Sequence, residues 1–122
     1  MANPQEVKKA IDDMNSMIEQ RKLMDAFEKY YADDVTMQEN EEEPRVGKET
    51  NRKSEQAFSD GLTRFVSKVL GVATGEDLSI VEWDMDFDHK EWGKSKRRQV
   101  AVQRWKNGKI INERFYYDNS KS

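Results

Sequence analysis

Apolar residues along this chain change their spacing as it proceeds, and each spacing marks a different kind of element. Val7, Ala10, Ile11, Met14, Met17 and Ile18 recur at the interval that draws one stripe down a helix. Asn3-Pro4-Gln5-Glu6 supplies the start, with Asn at the cap, Pro in the first turn and Glu three residues after the cap. The pattern predicts a first helix to about Gln20. After a polar break at Glu19 to Lys22, a shorter second helix carries Leu23, Ala26, Phe27, Tyr30 and Tyr31. Asp33-Asp34 ends it, and Val35 to Glu39 reads as a short strand with Val35, Met37 and Glu39 on one face. An acidic loop, Asn40 to Arg45, follows. Gly47 then opens a third and more polar helical stretch, Lys48 to Ser59, anchored by Ala57 and Phe58 and stopped by Asp60-Gly61.

From Leu62 the pattern turns to strands. Leu62 to Thr74 is β-rich with Gly71 as a candidate bulge, and Gly75-Glu76-Asp77 turns the chain. Leu78 to Asp88 and Lys94 to Lys106 read as two long strands whose side chains alternate between faces, so Val81, Trp83, Met85 and Phe87 share one face while Glu82, Asp84, Asp86 and Asp88 share the other. Folding these strands back through the tip His89-Lys90-Glu91-Trp92-Gly93 sets Asp88 opposite Lys94, Asp86 opposite Lys96 and Asp84 opposite Arg98. The basic run Lys94 to Arg98 reads alone as a nucleic-acid or localisation patch; the facing aspartates make it a charge-paired strand instead. Asn107-Gly108 is a strong hairpin-turn signal and leads into a last strand, Lys109 to Tyr117, before a frayed tail from Asp118 to Ser122. Helices first and consecutive antiparallel strands afterwards describe an α+β domain, three N-terminal helices covering the concave face of a curved sheet.

Composition narrows the classes. A length of 122 residues suits one domain, and 12 aromatic residues argue against disorder despite 37% charged residues. The net charge of −3 argues against nucleic acid as a partner. The chain has no cysteine, and its start lacks the features of a secretory signal, so a cytoplasmic location without membrane association is expected. His89 stands alone at an exposed hairpin tip, so no metal site is expected. Neither a phosphate-cradling loop nor any other cofactor signature occurs.

Several strings resemble the nuclear transport factor 2-like superfamily, which includes ketosteroid isomerases and SnoaL-like polyketide cyclases. They are Phe27 with Tyr31-Ala32-Asp33-Asp34-Val35-Thr36-Met37, Gly47 before the third helix, Gly75-Glu76-Asp77, and Asn107-Gly108-Lys109-Ile110 ahead of Phe115-Tyr116-Tyr117-Asp118. The resemblance implies a cone-shaped α+β barrel over residues 1–118, a pocket between sheet and helices, and a homodimer. Counting along the strand after Tyr31 puts the isomerases' general base at Glu39. The positions of their oxyanion-hole tyrosine and aspartic acid fall near Asn15 and Ala101, which match neither, and Glu113 and Phe115 fall on the pocket side of the last strand.

Glu39 is the candidate base: a carboxylate among Met37, Trp83 and Phe115 would be desolvated and competent near neutral pH. The alternative is that it begins the acidic loop and faces water. Glu113 is a second candidate on the same pocket. Met14, Met17, Phe27, Met37, Trp83, Met85, Phe87, Trp105 and Phe115 form either the wall of an apolar ligand pocket or plain core, with Gln99 and Gln103 as polar contacts on the same face. Two functions fit: a module binding a small apolar or amphipathic molecule, or an isomerase, cyclase or dehydratase using Glu39. Dimer contacts are expected near Ile110, Tyr116 and Leu70, away from the charged strand face.

Overall fold

A computed structural model describes residues 1–118. Its elements run α1 (Pro4–Glu19), α2 (Leu23–Tyr30), β1 (Tyr31–Glu39), β2 (Arg45–Val46), α3 (Lys48–Gly61), β3 (Leu62–Gly75), β4 (Leu78–His89), β5 (Gly93–Lys106) and β6 (Lys109–Tyr117). The strands form one sheet in the order β2-β1-β6-β5-β4-β3. Every neighbouring pair is antiparallel except β1 with β6, which run parallel. The sheet is therefore mixed and open, with β2 and β3 at its edges. The tail expected at Asp118 to Ser122 lies outside the described residues beyond Asp118.

The central hairpin keeps the register that its charges dictate. Asp88 faces Lys94, Asp86 faces Lys96 and Asp84 faces Arg98. The ion pairs themselves spread wider than the hairpin: Asp84 takes Arg98 at 3.4 Å, while Asp86 and Asp88 are held by Arg64 of β3. Register irregularities sit between Val69 and Gly71, between Tyr31 and Thr36, and between Arg104 and Trp105. Such bulges add twist, and they curl the sheet around the helices. Val81, Trp83, Met85 and Phe87 on β4 point inward with Val7, Ile11 and Met14 of α1 and Phe27 of α2 to make the core.

The termini of elements obey local chemistry. Asn3 caps α1 in a reciprocal arrangement with Glu6, and the Ala2 amide donates to Asp77 Oδ1 at 2.7 Å, tying the first helix to the β3–β4 turn. Gly47 precedes α3 with φ 95°, a conformation open to glycine at little cost.

Four expectations need correction. Tyr31 does not end α2; it opens β1, where it pairs with Ile110 of β6, so the ladder recruits it from the helix. Ala57 is exposed rather than an anchor, and the buried residues of α3 are Asn51 and Gly61. His89 is only 4% exposed. Its ring stacks on Trp92 at 3.9 Å, its Nδ1 accepts the Glu91 amide at 3.1 Å, and it packs against Gly61. Ile110 is fully buried in the core, so it cannot reach a partner subunit. Leu70 and Tyr116 do reach the surface.

Candidate functional site

Between the sheet's concave face and the helices lies a cavity of about 440 Å³. Met14, Ile18, Leu23, Phe27 and Phe58 line it from the helices, and Met37, Trp83, Met85, Phe87 and Phe115 from the sheet. Of its wall residues, Trp92 and Glu42 are exposed, so they mark the rim, while Glu113 and Gln103 are almost wholly buried and mark the floor. No helix among the described residues is long and apolar enough to cross a membrane.

The floor is a chain of hydrogen bonds. Trp105 Nε1 donates to Ser79 Oγ at 2.9 Å, Ser79 donates to Gln103 Oε1 at 2.6 Å, and Gln103 Nε2 donates to Glu113 Oε2 at 2.8 Å. The Tyr31 hydroxyl donates to the other oxygen, Glu113 Oε1. Strand register explains the meeting: Gln103 of β5, Glu113 of β6 and Met37 of β1 lie abreast. Tyr31 is held by stacking on Phe27, with ring centroids 4.8 Å apart. Burial pushes the Glu113 carboxyl from the ordinary 4.5 up to about 7, against the opposing pull of its two donors. Burial and the Glu113 charge also drive the Tyr31 phenol well above its usual value.

A second carboxyl faces the same space. Glu55 of α3 enters no ion pair or hydrogen bond among the described residues, and its side chain opens into the cavity. Burial, with repulsion from Glu113 and Glu39, lifts it to about 8. Around neutral pH the cavity therefore holds a mostly protonated Glu55 and, beside a phenol on the floor, a Glu113 that is about half protonated. Such a group donates a hydrogen bond, or passes a proton near neutrality.

Glu39 lines the cavity two residues nearer the rim than Met37. It is not set among apolar groups alone: Arg45 Nη1 reaches its Oε2 at 2.7 Å. Buried Asn51 orients that arginine, accepting from Arg45 Nε at 3.1 Å and donating to the carbonyls of Arg45 and Gly47. Of the other expected wall residues, Met14, Phe27, Met37, Trp83, Met85, Phe87, Gln99, Gln103, Glu113 and Phe115 line the cavity. Two do not. Trp105 stands behind the floor, buried through its bond to Ser79, and Met17 packs against the core without reaching the cavity. Asn15 is buried with both amide atoms unpartnered, and Ala101 is buried too; neither lines the cavity.

The sequence pattern passed over Tyr31, Glu55, Arg97 and Tyr117. Tyr31 was hidden by its placement on a helix. Glu55 stood in a helix read as polar, and that polarity was itself the signal, because α3 turns Ser54 and Glu55 toward a cavity instead of a packed core. Arg97 was absorbed into a basic run, although alternation puts it on the same face as Gln99 and Gln103.

Comparison with known proteins gives a consistent family. No curated protein sequence matches the chain. A solved structure from Mesorhizobium loti, provisionally named a SnoaL-like polyketide cyclase, is 28% identical with a TM-score of 0.73, covering 91% of this chain and 98% of that one. An LEH-like epoxide hydrolase from M. tuberculosis shares the fold at 13% identity and a TM-score of 0.78, covering 94% and 84%. A protein with a ketosteroid isomerase-like fold from Catenulispora acidiphila, solved in complex with trimethylamine, matches at 14% identity and a TM-score of 0.66, covering 78% and 75%. The SnoaL-like domain family matches residues 11–113, and the chain belongs to that family.

Proposed function

We propose that this chain binds a small, largely apolar molecule bearing a hydrogen-bonding group, inside the cavity between helices and sheet. The observation that carries it is Glu113: a buried carboxyl on the floor of an apolar cavity of about 440 Å³, within the size range of small-molecule sites. A buried acid that serves packing alone would be costly, whereas one facing a cavity can meet a ligand carbonyl or hydroxyl. The test is a tryptophan-fluorescence titration with cyclic ketones and medium-chain alcohols, using the wall residue Trp83 as reporter. Saturable binding that Met85→Trp abolishes by filling the cavity supports the proposal; no saturable change in the wild type refutes it.

A second reading is favoured by the paired acids. With Glu113 at about 7 and Glu55 at about 8, the site also suits proton transfer, as in an isomerase, cyclase or lyase. In that case Glu113 takes the role assigned to Glu39, because Glu39 is engaged by Arg45. Deuterium exchange at the carbon beside a bound ketone, lost in Glu113→Gln while binding persists, would support it.

The chain is also proposed to pair as a homodimer through the outer face of the sheet, where Leu70, Ile80 and Tyr116 are exposed.

A further inference from the structure

The cavity wall holds a cation with no ion-pair partner among the described residues, although the Glu39 carboxylate acts on it from a distance. Other arginines nearby are paired: Arg45 with Glu39 at 2.7 Å, Arg98 with Asp84 at 3.4 Å and Arg114 with Glu41 at 3.0 Å. Arg97 enters no ion pair among the described residues. Its guanidinium lies 3.9 Å from the centroid of the Tyr117 ring and 5.3 Å from that of Phe87. Its Nε is enclosed and has no hydrogen-bond partner, yet the side chain lines the cavity.

Position along β5 adds a direction. Arg97 sits six residues before Gln103, about 20 Å along the strand, and its partner across the ladder is Met85. The fixed charge thus stands toward the rim and the Glu113 cluster on the floor. Trp83, Met85 and Phe115 line the space with them. The interior opposes this charge only in part, because Arg45 pairs with Glu39, burial keeps Glu55 mostly protonated, and Glu113 is about half protonated near neutral pH.

We propose that Arg97 is a carboxylate anchor, and that the cavity takes an apolar monocarboxylic acid with its head on this guanidinium and its tail directed toward the floor. A planar guanidinium suits a carboxylate. A single negative charge matches the one charge of this guanidinium, whereas a doubly charged phosphate would be left half neutralised beside Glu39 and Glu42. The stacking on Tyr117 and Phe87 holds the guanidinium plane in place at the cavity wall.

This inference rests on the cavity-binding proposal, and the test separates the two. Octanoate and 1-octanol are titrated at pH 7 into the wild type, Arg97→Gln and Arg97→Lys, with circular dichroism confirming the fold. The expected result is that the wild type binds octanoate at least about tenfold more tightly than octanol, the margin of a charge-assisted contact. Arg97→Gln should bring the octanoate-to-octanol ratio to near one, and Arg97→Lys should keep part of it. Octanol binding as well as octanoate in the wild type overturns the inference and leaves cavity binding standing, without recourse to any variant. A ratio that survives in Arg97→Gln also overturns it, since the arginine would then serve only its aromatic stack. Binding of neither compound overturns both proposals.

Discussion

Replacing Glu113 by Gln should make this protein more stable at alkaline pH and change little in acid. Glu113 holds its proton more tightly in the folded chain, because burial raises it from 4.5 to about 7. Below about 4.5 both folded and unfolded chains carry the proton and the group is neutral in the balance. As pH rises toward 7 the unfolded chain releases its proton first, so folding is progressively penalised, and the penalty is complete once the folded group ionises. At about 1.4 kcal/mol per pH unit of displacement, the full penalty is on the order of 3 kcal/mol. Gln keeps the shape, can still accept the Gln103 amide, and can meet the Tyr31 hydroxyl with its own N–H. Urea unfolding followed by tryptophan emission at pH 5, 6, 7 and 8 measures the effect. The wild type should lose stability across this range, with Glu55 adding to the fall because it too is raised, to about 8. Glu113→Gln should flatten the curve and exceed the wild type at pH 8. A slope identical to the wild type would refute the reasoning, since Glu113 would then titrate alike in both states.

Other perturbations probe the surroundings of the cavity. Ser79→Ala removes the partner of both Trp105 Nε1 and Gln103 Oε1 and should cost about 1–3 kcal/mol in urea unfolding, the price of buried polar atoms left unpaired. Gly61→Ala builds a methyl 1.9 Å from His89 Nε2, and should destabilise by about 1–3 kcal/mol through overpacking, with Trp92 emission changing as the stacked ring moves. Ile80→Lys places a charge at one of the exposed apolar residues proposed for the dimer contact; sedimentation should find a dimer at micromolar concentration in the wild type and a monomer in the variant. A wild-type monomer would end the dimer proposal.

The fold was legible wherever period and turn chemistry agreed. β6 begins after Asn107-Gly108 and spans Lys109–Tyr117 as expected, and the central hairpin holds its register because a one-residue slip would turn Trp83 outward and misplace every aspartate. Boundaries failed where a tertiary partner decided them. Tyr31 carries a helix-spaced aromatic, but pairing with Ile110 draws it into β1. The site was legible on its apolar side, since alternation alone sets Trp83, Met85 and Phe87 inward. Its acids were only half legible: Glu113 came from strand counting, but Glu55 enters from a helix packed across the cavity, and no periodicity reports what a polar helix faces. The stack that buries His89 is likewise long-range, joining the hairpin tip to Phe58 and Gly61 of α3.

The most direct test of cavity binding is methyl NMR of the six methionines during titration with 1-octanol. Met14, Met37 and Met85 line the cavity, while Met1, Met17 and Met24 do not. The account predicts saturable shifts at the first three with a common midpoint and little change at the others. Unmoved signals from Met14, Met37 and Met85 at saturating ligand would contradict it, and so would shifts confined to Met1 and Met24.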